Sequence, residues 1–200
     1  MKILLINSVA DKLTVAVYKD GELFSENAAD KLKSHSSEIN GSIRNIMQKA
    51  EIKFDELDAY ACCVGPGSFT GIRVGIATIK GFMTAVEKKL ISVDSFEILA
   101  YTVNTETELI MDAGRERVYF SICDKNKVLT QPIMINNDDI PYGKPVAKYD
   151  VKADYSQAFA LAAINKYIKN EFVTHLSPLY IQLCQAEEEY NNKNNAKLEK

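Results

Sequence analysis

The sequence predicts an α/β fold in two lobes, on three observations. Residues 2–26 have the pattern of an antiparallel β-meander. An apolar strand at 59–64 then runs straight into a glycine-rich turn and an apolar helix. After one more strand and helix, the pattern begins again with two strands around Gly114.

Each element has its own reason. Residues 2–8 are rich in Ile and Leu, and 13–18 alternate and are β-branched. Lys19-Asp20-Gly21 signals a tight turn before a strand at 22–26. The opening "MKILLINSVADKL" is cut by Asn7, Asp11 and Lys12, with no small-residue cleavage pattern after it, so it reads as a strand and not as a signal peptide. Ser34 is a helix cap, and Ile39, Ile43, Ile46, Met47 and Ala50 recur at spacings of three and four, which predicts an amphipathic helix over 35–51. Its polar side carries Glu38, Arg44 and Lys49. "AYACCV" at 59–64 is apolar throughout, as a central parallel strand covered on both faces must be.

The helix over 70–88 carries apolar residues round most of its girth: Ile72, Val74, Ile76, Ala77, Ile79, Phe82, Met83, Ala85 and Val86. A helix resting on a sheet needs one apolar stripe. This one is either an internal core helix or is covered by a second protein, and Gly71 and Gly75 share a face that lets another backbone come close. A strand and a helix capped by Asp94 or Ser95 fill 90–101 and close a first lobe, residues 1–104, of order βββαβαβα. A smaller second lobe, 105–185, opens with strands at 108–113 and 117–124. Pro132, Pro141 and Pro145 mark a looser stretch before a helix at 156–167. The polar tail 186–200 is expected to be disordered.

Composition removes several function classes. With 46% hydrophobic and 26% charged residues the chain is an ordinary globular protein, and no apolar run approaches the ~18 residues of a membrane span. Cys62, Cys63, Cys123 and Cys184 lack CxxC spacing, and Cys62 and Cys63 point to opposite faces of a strand. Reduced thiols in the cytoplasm are the reading. The net charge of −3, with no lysine or arginine cluster, argues against strong nucleic-acid binding by the chain alone.

"GPGSFTG" has two readings. A glycine turn at a helix N-terminus exposes backbone N–H groups to an anion, which makes Gly65, Pro66, Gly67, Ser68, Thr70, Gly71 and Arg73 a candidate nucleotide or anion loop. The stretch lacks the Lys-Ser/Thr of a Walker A loop and the GxGxxG spacing, so a structural turn with close helix packing is the stronger reading. A dihistidine metal centre is not available, because Ile39 stands four residues after His35 and His175 lies in a loop. Ser68, Cys62 and Cys63 have no local base. Asp112 either positions a metal or water, or forms a turn.

"CVGPGSFTGIRVGIATIKGF" (63–82) resembles the signature of the TsaB (YeaZ) family. The resemblance extends to "ILLINS", "HSSEINGSI" and "MDAGRERVYF", and more weakly to "SPLYIQ". It implies the actin, Hsp70 and sugar-kinase (ASKHA) fold with a shortened second lobe. It also implies a non-catalytic scaffold or activating subunit of a complex making threonylcarbamoyladenosine in tRNA, bound to a TsaD-type enzyme and, with it, a TsaE-type ATPase. Any ATP or ADP would sit at the partner junction, no cofactor would be intrinsic, tRNA would be met only through the complex, and alone the surface could form a homodimer. The interface so implied involves Ile39, Ile43, Met47, Gly71, Val74, Gly75, Thr78 and Phe82. The chain departs from the family with Asn7 for Asp, Asp112-Ala113-Gly114 for "DAR", and Gln182 for Arg. The rival reading is a small kinase or ATPase of the same superfamily that holds ATP and Mg²⁺ with residues 65–73 and Asp112.

Overall fold

A computed structural model describes residues 1–10, 12–28 and 35–181. The expectations at Ser34, Gln182, Cys184 and the tail 186–200 fall outside them. The first sheet has the order β3-β2-β1-β4-β5 and is built from β1 (Lys2–Asn7), β2 (Leu13–Lys19), β3 (Glu22–Ala28), β4 (Ala59–Cys63) and β5 (Lys89–Val93). The first three strands run antiparallel, and β4 and β5 join parallel to β1. With α1 (His35–Lys49), α2 (Phe69–Ala85) and α3 (Ser95–Ala100) the element order is βββαβαβα, as the sequence pattern predicts. The β2–β3 hairpin closes on Asp20 and Gly21, both at positive φ (48° and 105°), the geometry that matches the twist of antiparallel strands.

Ile3–Ile6 and Ala59–Cys63 are fully buried, which is why neither stretch has a solvent face to mark with polar residues. Cys62 faces α2, where it lies beside Gly75, and Cys63 faces Ser95 at 3.5 Å. The opposite-face reading of this pair therefore holds. Burial pushes both thiols up, that of Cys63 to about 12.

The second sheet comprises β6 (Thr107–Gly114), β7 (Arg117–Asp124), β8 (Lys127–Val128), β9 (Ile133–Asn136) and β10 (Val146–Lys148), in the order β10-β6-β7-β8 with β9 also on β7. The proline-marked stretch thus contributes short strands. Two to four residues on a half-exposed surface are too few to display a period of two.

The boundary between the lobes needs correction. Helix α4 (Ser156–Ile168) follows the second sheet in sequence, yet Ala158, Phe159, Ala160, Ala162 and Ala163 are buried in the same core as the first sheet. Its alanines let the helix lie close to β5 and β2, and Lys166 Nζ donates to the Ser92 carbonyl at 2.7 Å. Residues 156–181 therefore return to the first lobe. The large first sheet has an apolar face that α1 and α2 do not cover, and burying it outweighs chain order.

Asp94 caps α3: its carboxylate accepts from Glu97 N–H at 2.7 Å, and Glu97 accepts from Asp94 N–H at 2.8 Å. Burial, and then the Glu97 charge, raise the Asp94 carboxyl from 3.8 to about 6. The folded state therefore prefers the protonated form. The stability contributed by this group is full below pH 3.8 and is lost as pH rises through about 6. Asp94→Asn keeps a good cap without the charge. It is expected to raise the thermal midpoint at pH 7.5 and to lose that advantage near pH 4, read from unfolding curves across that range.

Candidate functional site at the glycine turn and helix α2

Four of the turn's polar groups bond to other parts of the chain. The Gly65 carbonyl accepts from Ser95 N–H at 2.8 Å, and the Pro66 carbonyl accepts from the Ser95 hydroxyl at 2.7 Å. Ser68 N–H donates to the Val9 carbonyl at 2.9 Å, and the Ser68 hydroxyl caps α2 by accepting from Gly71 N–H at 3.1 Å. An anion cradle needs such N–H groups turned outward. Here those of Ser68 and Gly71 are spent inside the protein.

The glycines are there for closeness. A Cβ at Gly71 would lie 1.8 Å from the Ser8 carbonyl oxygen, one at Gly67 2.7 Å from the Val9 carbonyl oxygen, and one at Gly65 2.9 Å from the Leu179 carbonyl oxygen. At Gly75 a Cβ would meet the Ser8 hydroxyl at 2.6 Å, and that hydroxyl donates to the Gly71 carbonyl at 2.7 Å. Gly71 and Gly75 thus seat α2 against the end of β1. Their shared face is turned to the chain's own backbone and not to a second protein.

The expected interface set divides accordingly. Ile39, Ile43 and Met47 are 2%, 2% and 4% exposed and sit in the first-sheet core, and Gly71 and Gly75 are buried too. These five offer no surface, because the apolar stripe of α1 and the glycine face of α2 are what hold each helix on the sheet. Val74, Thr78 and Phe82 are half-buried, and the Phe82 ring lies 4.9 Å from that of Phe54. The outward side of α2 is made of Arg73, Ala77, Lys80, Gly81, Thr84 and Ala85, all exposed. Among the described residues, a Cβ at Gly81 would meet nothing within 4 Å.

Arg73 is drawn to a segment to which the sequence assigned no role. Its Nε donates to the Tyr180 hydroxyl at 3.0 Å, and its guanidinium lies 4.0 Å above the Phe69 ring. Phe69 and Tyr180 stack at 5.0 Å, and Leu179 N–H donates to the Val64 carbonyl at 2.8 Å. Residues 176–181 thus run along the glycine turn. The aromatic rings in "GSFTG" and "SPLYIQ" were the visible signal, although no spacing links positions so far apart.

The remaining candidates are also turned to structure. Asn7 is 3% exposed, and its side-chain oxygen accepts from Val9 N–H at 3.2 Å, which bends the chain out of β1. Over it lies Tyr149, 3% exposed and stacked on Tyr155 at 4.7 Å; its hydroxyl has the Asn7 side chain as polar neighbour but makes no hydrogen bond of ordinary geometry among the described residues. Burial pushes that phenol well above its usual value. Asp112 is exposed and accepts from Gly114 N–H at 2.8 Å, as a turn former does. His175 is exposed beside Thr174, and Ile39 is core.

The family model described as "TsaD: tRNA N6-adenosine threonylcarbamoyltransferase" matches residues 26–140. The tRNA threonylcarbamoyladenosine biosynthesis protein TsaB of Escherichia coli is 29% identical over 128 residues, 60% of this chain and 54% of that protein, so the match spans about half the relative's length. Two Pseudomonas aeruginosa structures, one titled YeaZ and one described as similar to peptidase YEAZ, superpose with TM-scores of 0.77 and 0.80. Each is 17% identical, and each match covers 90% of this chain and 99% of theirs. These two carry the fold alone, and that fold is the two-lobed ASKHA architecture with a shortened second lobe. The chain belongs to the family that the TsaD model describes and, within it, to the TsaB (YeaZ) proteins.

Proposed function

We propose that this chain is a non-catalytic subunit of a complex that forms threonylcarbamoyladenosine in tRNA, docking a TsaD-type enzyme through the outward side of α2, with a TsaE-type ATPase joining the pair. The observation that carries this reading is that outward side. A helix facing only water would place charged or polar residues there. Ala77, Gly81 and Ala85 instead follow one another at intervals of four, exposed, with no described residue within 4 Å of a Cβ built at Gly81. Small residues so placed let a second helix approach closely, and Arg73, Lys80 and Thr84 supply a polar rim.

A nucleotide at such a junction would depend mainly on the partner, because the turn's Ser68 and Gly71 N–H groups are bonded internally. The rival reading, an ATPase acting alone, has little to work with. Asn7 is buried under Tyr149 and bonded to its own backbone, and Asp112 is engaged in its turn.

The test is association. Ala77→Glu adds a charge to an exposed position and leaves the core untouched. It is expected to abolish co-elution with a TsaD-type protein while the far-ultraviolet circular dichroism of the variant stays that of the parent. Co-elution of the variant at the parental position would overturn the docking face. ATP hydrolysis by the chain alone at enzyme-like rates, lost in Asp112→Ala, would overturn the non-catalytic reading. A homodimer broken by Ala77→Glu, with no TsaD-type binding by the parent, would assign the face to a second copy of this chain.

A further inference from the structure

Four lysines that are scattered in sequence meet around a cavity of about 360 Å³ between α3, the α4 C-terminus and the β7–β8 turn. The volume falls within the range of small-molecule sites. Lys166 is committed to Glu97, at 2.6 Å, and to the Ser92 carbonyl. Lys125, Lys127 and Lys169 are exposed and make no ion pair among the described residues. The uncommitted charge on the wall is therefore three lysines against Glu171, in a chain whose net charge is −3. Lys169 also faces the negative end of the α4 dipole, so Lys125 and Lys127 carry the positive surplus. Asn165, whose side-chain amide donates to the Tyr101 hydroxyl at 2.5 Å, and Asn126 add polar groups.

The hairpin carrying these lysines is tight. Lys125 and Asn126 both have positive φ, 45° and 67°, where a residue with a Cβ is disfavoured and glycine, asparagine or aspartate is usual. A lysine in that place presents its charge at the cavity mouth against the local preference of the backbone.

We propose that this cavity binds a phosphorylated small molecule, with its phosphate held by Lys125 and Lys127. A volume of about 360 Å³ matches one small molecule. The site is separate from the α2 docking face.

Nuclear magnetic resonance titration of the full chain with AMP tests it. AMP is expected to shift the amides of Asn126, Lys127 and Asn165 saturably, and phosphate-free adenosine is expected not to. Lys125→Gly, which relieves the turn, is expected to weaken AMP binding by up to about fivefold, as loss of one surface charge contact does, with the unfolding midpoint unchanged or higher. No saturable shift up to roughly 10 mM AMP, a range that reaches the weakest useful affinities, would overturn the proposal. So would equal binding of adenosine, or an unchanged affinity in Lys125→Gly. A single-stranded RNA that shifts the same amides more strongly per phosphate than AMP would assign the cavity to RNA and overturn the small-molecule reading.

Discussion

Gly71→Ala is expected to destabilise the protein by about 3 kcal/mol, the upper end of what overpacking costs. The added carbon would sit 1.8 Å from the Ser8 carbonyl oxygen and 2.9 Å from its carbonyl carbon, both backbone atoms. Ser8 is fully buried at the end of the central strand and cannot swing aside as a flexible side chain would. Relief therefore means moving α2 away from the sheet, which breaks the Ser8–Gly71 hydrogen bond and loosens Ile72, Ile76 and Ile79 in the core. Gly81→Ala is the matched control. It lies in the same helix, faces outward and would meet nothing within 4 Å among the described residues, so alanine is expected to add about 0.5–1 kcal/mol by lowering the chain's unfolded freedom. Urea unfolding of the two variants should move the midpoint in opposite directions. A Gly71→Ala protein as stable as the parent would show that β1 and α2 are not pressed together.

Phe159→Ala is expected to cost about 3–5 kcal/mol, the range for removing a fully buried phenylalanine. The form of the transition matters as much as its size. Because Phe159 joins α4 to the first-sheet core, the variant is expected to unfold in one transition at a lower midpoint. Were residues 105–181 an independent lobe, a partial transition would split off from the loss of the first sheet. Following urea unfolding by both circular dichroism and tyrosine fluorescence distinguishes the two, since separate lobes would give non-coincident curves.

Much of the first lobe was legible in the sequence because its signals are local. An apolar run with no polar interruption at Ala59–Cys63 follows from burial on both faces, and the Asp20-Gly21 turn from backbone sterics. The first helix came from its apolar spacing and cap signal: α1 starts at His35 and ends at Lys49, two residues short of the expected end. The candidate site was legible only in part. Periodicity shows that Ile39, Ile43 and Met47 share a face of α1 but not what that face touches, and a glycine pair four apart permits close approach without naming the neighbour. The second sheet's short strands and the basic cavity depend on contacts between distant residues, which no local pattern records.

By itself, then, the sequence determined the order of elements in the first lobe, the two-faced burial of β4, and the family signature in the glycine turn. Those features rest on backbone sterics and on the periods of 2 and 3.6, which act within a few residues. Only the tertiary structure decided that Gly71 and Gly75 serve the chain's own strand, that α4 belongs to the first sheet, and that Ala77, Gly81 and Ala85 are the residues left facing outward. The physical reason is that burial belongs to surfaces brought together by the whole fold. A residue's apolar character says that it will be covered, and the fold alone says by what.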